Sequence, residues 1–492
     1  MSAIITTILL VGYLLLLAWL GLAGMRKTTS MSSFAIGNRD MHPALVGVAM
    51  ASSIASAATF VINPGFVYTD GLSAFLHYGV AAQAGSIIGL VAVCKGFRRH
   101  GDHAASLTIP DWIRTRYGSE RFAQAFAVIN LLSIAFIVLI VFSCALLLSS
   151  MTGLPHVWSL LTVTVVVFGY VMLGGTYAHA YTNAAQALMM VVVAIVLFLS
   201  GWDVLGDGQF LSRLSEVGPG YDAAANPNSV LYGDLFAVFV SGFVMTFALM
   251  LQPHILTKVL YLRHERDMRT FLTTTIATSL VFSLVLFVGF FARLKGLDVP
   301  VSEQDTVVTR YVETAFGTGM GAEIIGAFVL VALLAAGMST LDGILVAVSS
   351  MVTHDLVLRG RNDAAAAKNA LRISRWVVIA LGIVAFLLAV DPPQLVGLFA
   401  QKGVYGLAAA SFVPIVFGVL VRGKLALWPV VLASGTALLV HFGLHLPGWI
   451  ANPSVSACYG ILASVMVALV ALQVQRRLEA AARSTGHRRD RA

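Results

Sequence analysis

Charge is what this sequence has least of. Only 11% of its 492 residues are Asp, Glu, Lys or Arg, against about 25% in an ordinary soluble chain, and the mean hydropathy is +0.88. No polar stretch is long enough to fold as a separate soluble domain. Residues 1–475 therefore read as a single integral membrane domain with its core over 43–421, followed by a basic tail at 476–492. Cysteine is almost absent. Cys94, Cys144 and Cys458 fall in or at the edge of apolar runs without metal spacing, which argues against a disulfide framework or a zinc site. Paired catalytic carboxylates and His/Asp metal sets are missing from the apolar runs, so the chain does not read as an enzyme.

What the sequence does have is long apolar runs, such as 4–25, 122–151 and 376–390. A helix rises about 1.5 Å per residue and the hydrocarbon slab is about 30 Å thick, so each can span it. The first run lacks a basic leader and is too long for a signal peptide. Hydropathy predicts an all-α polytopic protein of thirteen helices, near 2–24, 43–67, 72–96, 122–151, 156–174, 182–203, 231–256, 270–292, 320–351, 374–391, 394–421, 425–445 and 454–473. The loops between them alternate sharply in charge. One side, with the tail, holds 26 of the 31 Lys and Arg; the other holds only Arg213, Arg293, Lys295 and Arg310, and Lys402 lies inside a helix. Positive loops face the cytoplasm, which places the N-terminus outside and the C-terminus inside, as an odd helix count requires. The net charge of +8 is thus a topology signal, not a face for nucleic acid. The bilayer is the expected partner, with the tail near anionic lipid.

Two helices are interrupted. The second runs through Ser52, Ser53 and Ser56 to Asn63-Pro64-Gly65; the seventh holds Ser241-Gly242 and Gln252-Pro253-His254. Proline deletes a backbone bond and frees carbonyls to face a cavity. The two breaks lie five helices apart, so helices 2–6 and 7–11 read as inverted repeats, an architecture common among secondary transporters. In the ninth helix, Ala336, Ser339 and Thr340 stand at i, i+3 and i+4 and share one face. A carbonyl and two hydroxyls set against an unwound partner helix make a hard oxygen cage for a small cation. Hydroxyls that bond back to their own helix are the alternative.

These motifs, with Gly174-Gly175-Thr176-Tyr177-Ala178, Thr182-Asn183, Gln186, Leu107-Thr108-Ile109-Pro110-Asp111 and Arg116-Tyr117-Gly118, resemble the sodium/solute symporter family, which includes sodium/proline, sodium/pantothenate, sodium/acetate and sodium/glucose transporters. The resemblance runs in order from about residue 25 to 420. It implies a LeuT-type core and alternating access driven by Na⁺. It also implies Na⁺ ligands: the carbonyls of Ser52, Ala55 and Ala336 and the hydroxyls of Ser339 and Thr340. Two departures stand out. Ile54 replaces an Asp of the sodium/proline members, and Asn183 replaces a carboxylate that supports a second sodium in some relatives; both favour one Na⁺ per cycle. Met245 and Leu249 stand where the proline transporters place aromatics, which argues against proline as cargo.

Lys402 lies about 12 Å into the eleventh helix, where a charge needs a partner or a function. It meets a substrate carboxylate, pairs with Asp342, or stands in for a second cation. His254 reads as a structural histidine of the Gln-Pro-His break, and His179 as solvated in a short cytoplasmic loop. The candidate substrate residues are Ser53, Gln252, Gln401 and Lys402. The reading is a Na⁺-coupled importer of a small organic solute, most simply a monocarboxylate, in a bacterial-type plasma membrane; a monomer is compatible with it, and the sequence leaves the oligomeric state open. An amino-acid or proton-coupled carrier on the same scaffold is the alternative. A transporter-like sensor ranks last, since no kinase or receiver segment follows residue 475.

Overall fold

The computed structural model describes residues 3–489 apart from 104, 207, 317–318, 359–363, 392–395, 422 and 424. Of the basic side, Arg359, Arg361, Arg422, Lys424 and Arg491 lie outside the described residues, as does the expected start of the eleventh helix at 394. The described residues are all-helical, with no strand among them. Among the described residues, ten helices are long and apolar enough to cross a membrane, and two bent helix pairs bring the number to twelve.

One of the ten carries a thirteenth span. His156–Leu199 is assigned as a single helix of 44 residues, about 66 Å long if straight, or twice the hydrocarbon slab. Gly175 interrupts it with φ 49 and ψ −138. Tyr170 Oη and Thr182 Oγ1 both donate to the same Asp342 Oδ2 at 3.0 Å, although twelve residues of straight helix would hold them about 18 Å apart. The chain therefore folds back at Gly175. The spans are α1 (Ala3–Met25), α2 (Pro43–Ile54 then Ala58–Asp70), α3 (Leu72–Asp102), α4 (Glu120–Thr152), α5 (156–174), α6 (176–199), α7 (Phe236–Leu249 then Pro253–Tyr261), α8 (Glu265–Leu294), α9 (Met320–Val357), α10 (Asn369–Val390), α11 (Ala400–Leu420), α12 (Leu427–His445) and α13 (Pro453–Arg477).

The turn at Gly175 is clamped. Thr28 Oγ1 donates to Gly174 O and Thr176 Oγ1 to Phe34 O, both at 2.7 Å. A Cβ on Gly175 would stand 2.6 Å from Phe34 Cδ2 and 2.9 Å from Phe34 O, in a positive-φ conformation that glycine adopts readily and residues with a Cβ do not. Gly175→Val is expected to remove most of the monodisperse protein in size-exclusion chromatography. Gly169→Ala, with open space around it, should leave the profile unchanged, and equal profiles for the two variants would refute the clamp.

The inverted repeat is visible in how the spans pair. The bends of α2 and α7 are 56° and 60°. The first half of α2 packs on α8, and the first half of α7 packs on α3, as exchange of the two repeats requires. Small residues allow both approaches: a Cβ on Gly47 would fall 2.7 Å from Phe271 O, and one on Gly85 would fall 2.2 Å from Phe243 O. Close backbone contact is how helices associate where lipid supplies no hydrophobic drive. At the centre stands α9, 83% buried over its apolar window against 28% for α1. These relations are those of a LeuT-type core over α2–α11, with α1, α12 and α13 outside the repeats.

The breaks differ from expectation at one of their two positions. In α2 the helix ends at Ile54 and resumes past Ala57, well before Pro64. Pro64 sits in the first turn of the segment Asn63–Asp70, where its missing N–H leaves no bond unmade because a π-helical turn at Ala58–Ile62 precedes it. In α7 the break falls at the expected Gln252-Pro253, but the second half runs on to Tyr261. Lys258, counted among the cytoplasmic loop charges, therefore lies inside a span and is fully buried.

Candidate functional site

Small and hydroxyl residues make the break in α2, since Ala49–Thr59 offers little side-chain packing to hold a helix together. Ala55 takes φ −84 and ψ 81, its N–H closing the last turn on Ala51 O. The Ser56 N–H turns to Ile54 O at 3.1 Å instead of to Ser52 O. Ser52 O and Ser53 O are thereby left without a helical partner, as at any helix end. They find one across the core. Ser339 Oγ donates to Ser52 O at 3.0 Å, and Thr340 Oγ1 to Ser53 O at 3.2 Å. Ser339 Oγ also lies 2.9 Å from Ala336 O.

Ser52, Ala336, Ser339 and Thr340 thus converge, all with no measurable exposure, and Ala55 sits beside them in the break. The donors are hard, neutral oxygens, the set that suits an alkali cation. A hydroxyl that gives its proton to one carbonyl keeps a lone pair free for a cation. Asn183 ties the cage to α6: its Nδ2 donates to Ser53 Oγ at 3.0 Å and to Ser339 O at 2.8 Å.

Next to the cage lies a cavity of about 190 Å³ bounded by both helix breaks, by α3 and by α11. Ser53, Gln252 and Gln401, expected to face the substrate, line it, and so do Met245, Leu249 and His254. Lys402 does not line it. Neighbours on a helix are turned about 100° apart, so where Gln401 faces the cavity, Lys402 turns away from it; the Lys402 backbone carbonyl lies 3.1 Å from His441 Nε2 of α12. The pair with Asp342 is not formed either. Asp342 is fully enclosed, with His179 Nδ1 2.8 Å from Oδ1 and Tyr170 and Thr182 on Oδ2. His179 is accordingly a buried partner of that carboxylate, not a solvated loop residue, because the short loop expected between the fifth and sixth helices is the tight turn at Gly175.

Sequence reasoning missed His77, Tyr78, Asn63 and Tyr405 in the cavity wall. His77 Nδ1 lies 3.0 Å from Ala237 O in α7, so it bridges the third and seventh helices. Among the described residues the wall contains no Asp, Glu, Lys or Arg. What the arrangement can do is hold one small, mostly apolar solute, with its polar groups on amides, hydroxyls and helix ends, beside an oxygen cage of the kind that suits a cation.

Residues 34–425 match the sodium:solute symporter family. A sodium/proline symporter of Staphylococcus saprophyticus is 24% identical over 430 residues, 85% of this chain and 82% of that protein. A sodium/pantothenate symporter of Haemophilus influenzae is 26% identical over 399 residues, 80% of each. Among solved structures, a Na⁺-coupled sialic acid symporter in a substrate-bound outward-open state superposes with a TM-score of 0.79 at 15% identity, covering 96% of this chain and 97% of that one.

Proposed function

The chain belongs to the sodium:solute symporter family, and from that premise we propose that it imports a small monocarboxylate with one Na⁺ per cycle. It is a Na⁺-coupled carrier of a small solute and a multi-pass membrane protein, as its relatives are, and not an enzyme. The observation that carries the cargo reading is the cavity, which touches the oxygen cage and has no fixed charge of its own. An anion there draws its balance from the adjacent Na⁺ and from the N-terminal end of a broken helix, which favours negative groups. At about 190 Å³ the cavity falls below the roughly 300 Å³ where drug-sized pockets begin, in keeping with a short-chain acid. Proline, pantothenate and sialic acid, carried by the relatives, all bear a carboxylate. The proline carriers favour an amino acid as the second reading. Ser52, Ala55, Ala336, Ser339 and Thr340 hold Na⁺ in this proposal; Ser53, Gln252 and Gln401 face the cargo. The charge bias of the loops puts the N-terminus outside and the C-terminus in the cytoplasm.

Uptake of labelled monocarboxylates into proteoliposomes is expected to need Na⁺ and to fall to background when K⁺ or Li⁺ replaces it. Equal rates in K⁺ would point to a proton-coupled carrier. Gln401→Ala, which removes a neutral hydrogen-bonding group worth about 0.5–1.5 kcal/mol, should raise KM by about 2- to 10-fold. Lys402→Met should leave KM within about twofold, since its side chain does not line the cavity. A KM rise confined to the Lys402 variant would return the carboxylate to that lysine.

A further inference from the structure

One turn along α9 from the cage lies a second buried polar cluster that Na⁺ binding does not use. Ser339 and Asp342 stand at i and i+3 and so face the same way. Adjacent residues of α6 reach both places: Asn183 bonds Ser53 and Ser339, and Thr182 bonds Asp342. The three groups that donate to Asp342, the imidazole of His179, the phenol of Tyr170 and the hydroxyl of Thr182, hydrogen-bond the carboxylate but do not cancel its charge. The formal cation that comes nearest this cluster is the Lys258 ammonium, fully buried, which Asp342 attracts from beyond salt-bridge distance.

The room for it is made by Gly343. The point where a Cβ would sit on Gly343 lies 3.0 Å from His179 Cε1, 3.3 Å from Lys258 Nζ and 3.3 Å from Ser53 Oγ. The ammonium therefore stands within twice that distance of the hydroxyl of Ser53, the serine whose carbonyl accepts from Thr340 of the cage. Of its three N–H groups, one reaches His254 O at 2.6 Å. On α6, His179, whose Cε1 shares the space at Gly343 with the ammonium, and Asn183, bonded to Ser53 Oγ, keep Nε2 and Oδ1 buried without a hydrogen-bond partner among the described residues. The cluster thus has a carboxylate, two spare acceptors and a lysine, all on α6, α7 and α9.

We propose that Lys258 is a tethered cation, occupying beside Asp342 a place that a second Na⁺ takes when the ammonium is removed. The proposal rests on the reading of the Ser52–Ser339–Thr340 cage as a Na⁺ site. It explains why Asn183 can stand without a carboxylate: the negative charge of this region comes from α9, and its counter-ion is covalently attached.

The test is the stoichiometry of radiolabelled Na⁺ bound to the full chain in lipid nanodiscs. The unmodified protein is expected to bind one Na⁺ at saturation, with a Hill coefficient near one. Lys258→Met should bind two, with a coefficient rising toward two, while Lys258→Arg and the double variant Lys258→Met/Asp342→Asn should each bind one. A value of two for the unmodified protein overturns the proposal without needing any variant to fold, and one site in folded Lys258→Met overturns it as well. No Na⁺ bound by the unmodified protein overturns the cage reading and this proposal together, whereas one Na⁺ that is lost in Ser339→Ala upholds the cage separately.

Discussion

Ser339→Ala lowers the Na⁺ affinity of uptake by roughly 10- to 150-fold. The hydroxyl reaches Ser52 O at 3.0 Å and Ala336 O at 2.9 Å, so it sits between the two carbonyls that would share the cation. Its loss removes a ligand and leaves two buried carbonyls closer to mutual repulsion than to any new partner. A hydrogen bond to a charged group contributes about 1.5–3 kcal/mol, and each 1.4 kcal/mol is a tenfold change in affinity. Water cannot make up the deficit easily, because the site has no exposure. The measurement is the Na⁺ concentration for half-maximal uptake, with thermal stability as the control for folding. A shift below threefold in well-folded protein would show that the hydroxyl only bridges the two helices and does not bind the cation.

Asp342→Ala has the larger effect on stability. The carboxylate accepts from His179, Tyr170 and Thr182 of the α5–α6 hairpin, and it attracts the buried Lys258 electrostatically. Taking away one member of a buried pair strands the other charge, at a cost of about 3–5 kcal/mol. Only a small margin separates a native domain from its unfolded state, so little folded Asp342→Ala should be recovered. Adding Lys258→Met should restore part of the loss, since the double variant buries no unpaired charge. The pair therefore forms a double-mutant cycle with strong coupling, read as recovered yield and melting temperature. Additive losses would mean that Asp342 serves the hairpin alone.

Hydropathy makes the spans legible because burial in lipid demands about twenty apolar residues in a row, and loop charge adds their alternation. The cage is legible for a related reason. Ala336, Ser339 and Thr340 follow helical spacing, and hydroxyls on one face of an apolar helix stand out. What escapes is anything settled by a single dihedral or by where a helix stops. Gly174-Gly175 reads as a loop of several residues, yet it is one positive-φ residue, and that error turned His179 outward. Lys258 reads as a loop charge because a basic residue five positions beyond a proline looks like a helix end; only the packing of the second half of α7 against α3 and α9 draws it inside. Lys402 shows the opposite limit. Depth along a helix can be counted from sequence, but which way a side chain faces depends on the neighbours, and a turn of about 100° separates a cavity residue from its neighbour on α11.

The lysine held beside Asp342 also bears on bioenergetics. A charge fixed to the protein does not cross the membrane as cargo, so only mobile ions count in each turnover. One Na⁺ carried with one monocarboxylate moves no net charge. The membrane potential, which supplies about 2.3 kcal/mol per charge per 100 mV, then contributes nothing to accumulation. A tenfold Na⁺ gradient could concentrate the acid about tenfold and no further. Uptake would hold steady while the voltage fluctuates, at the cost of a lower ceiling than a two-sodium carrier reaches.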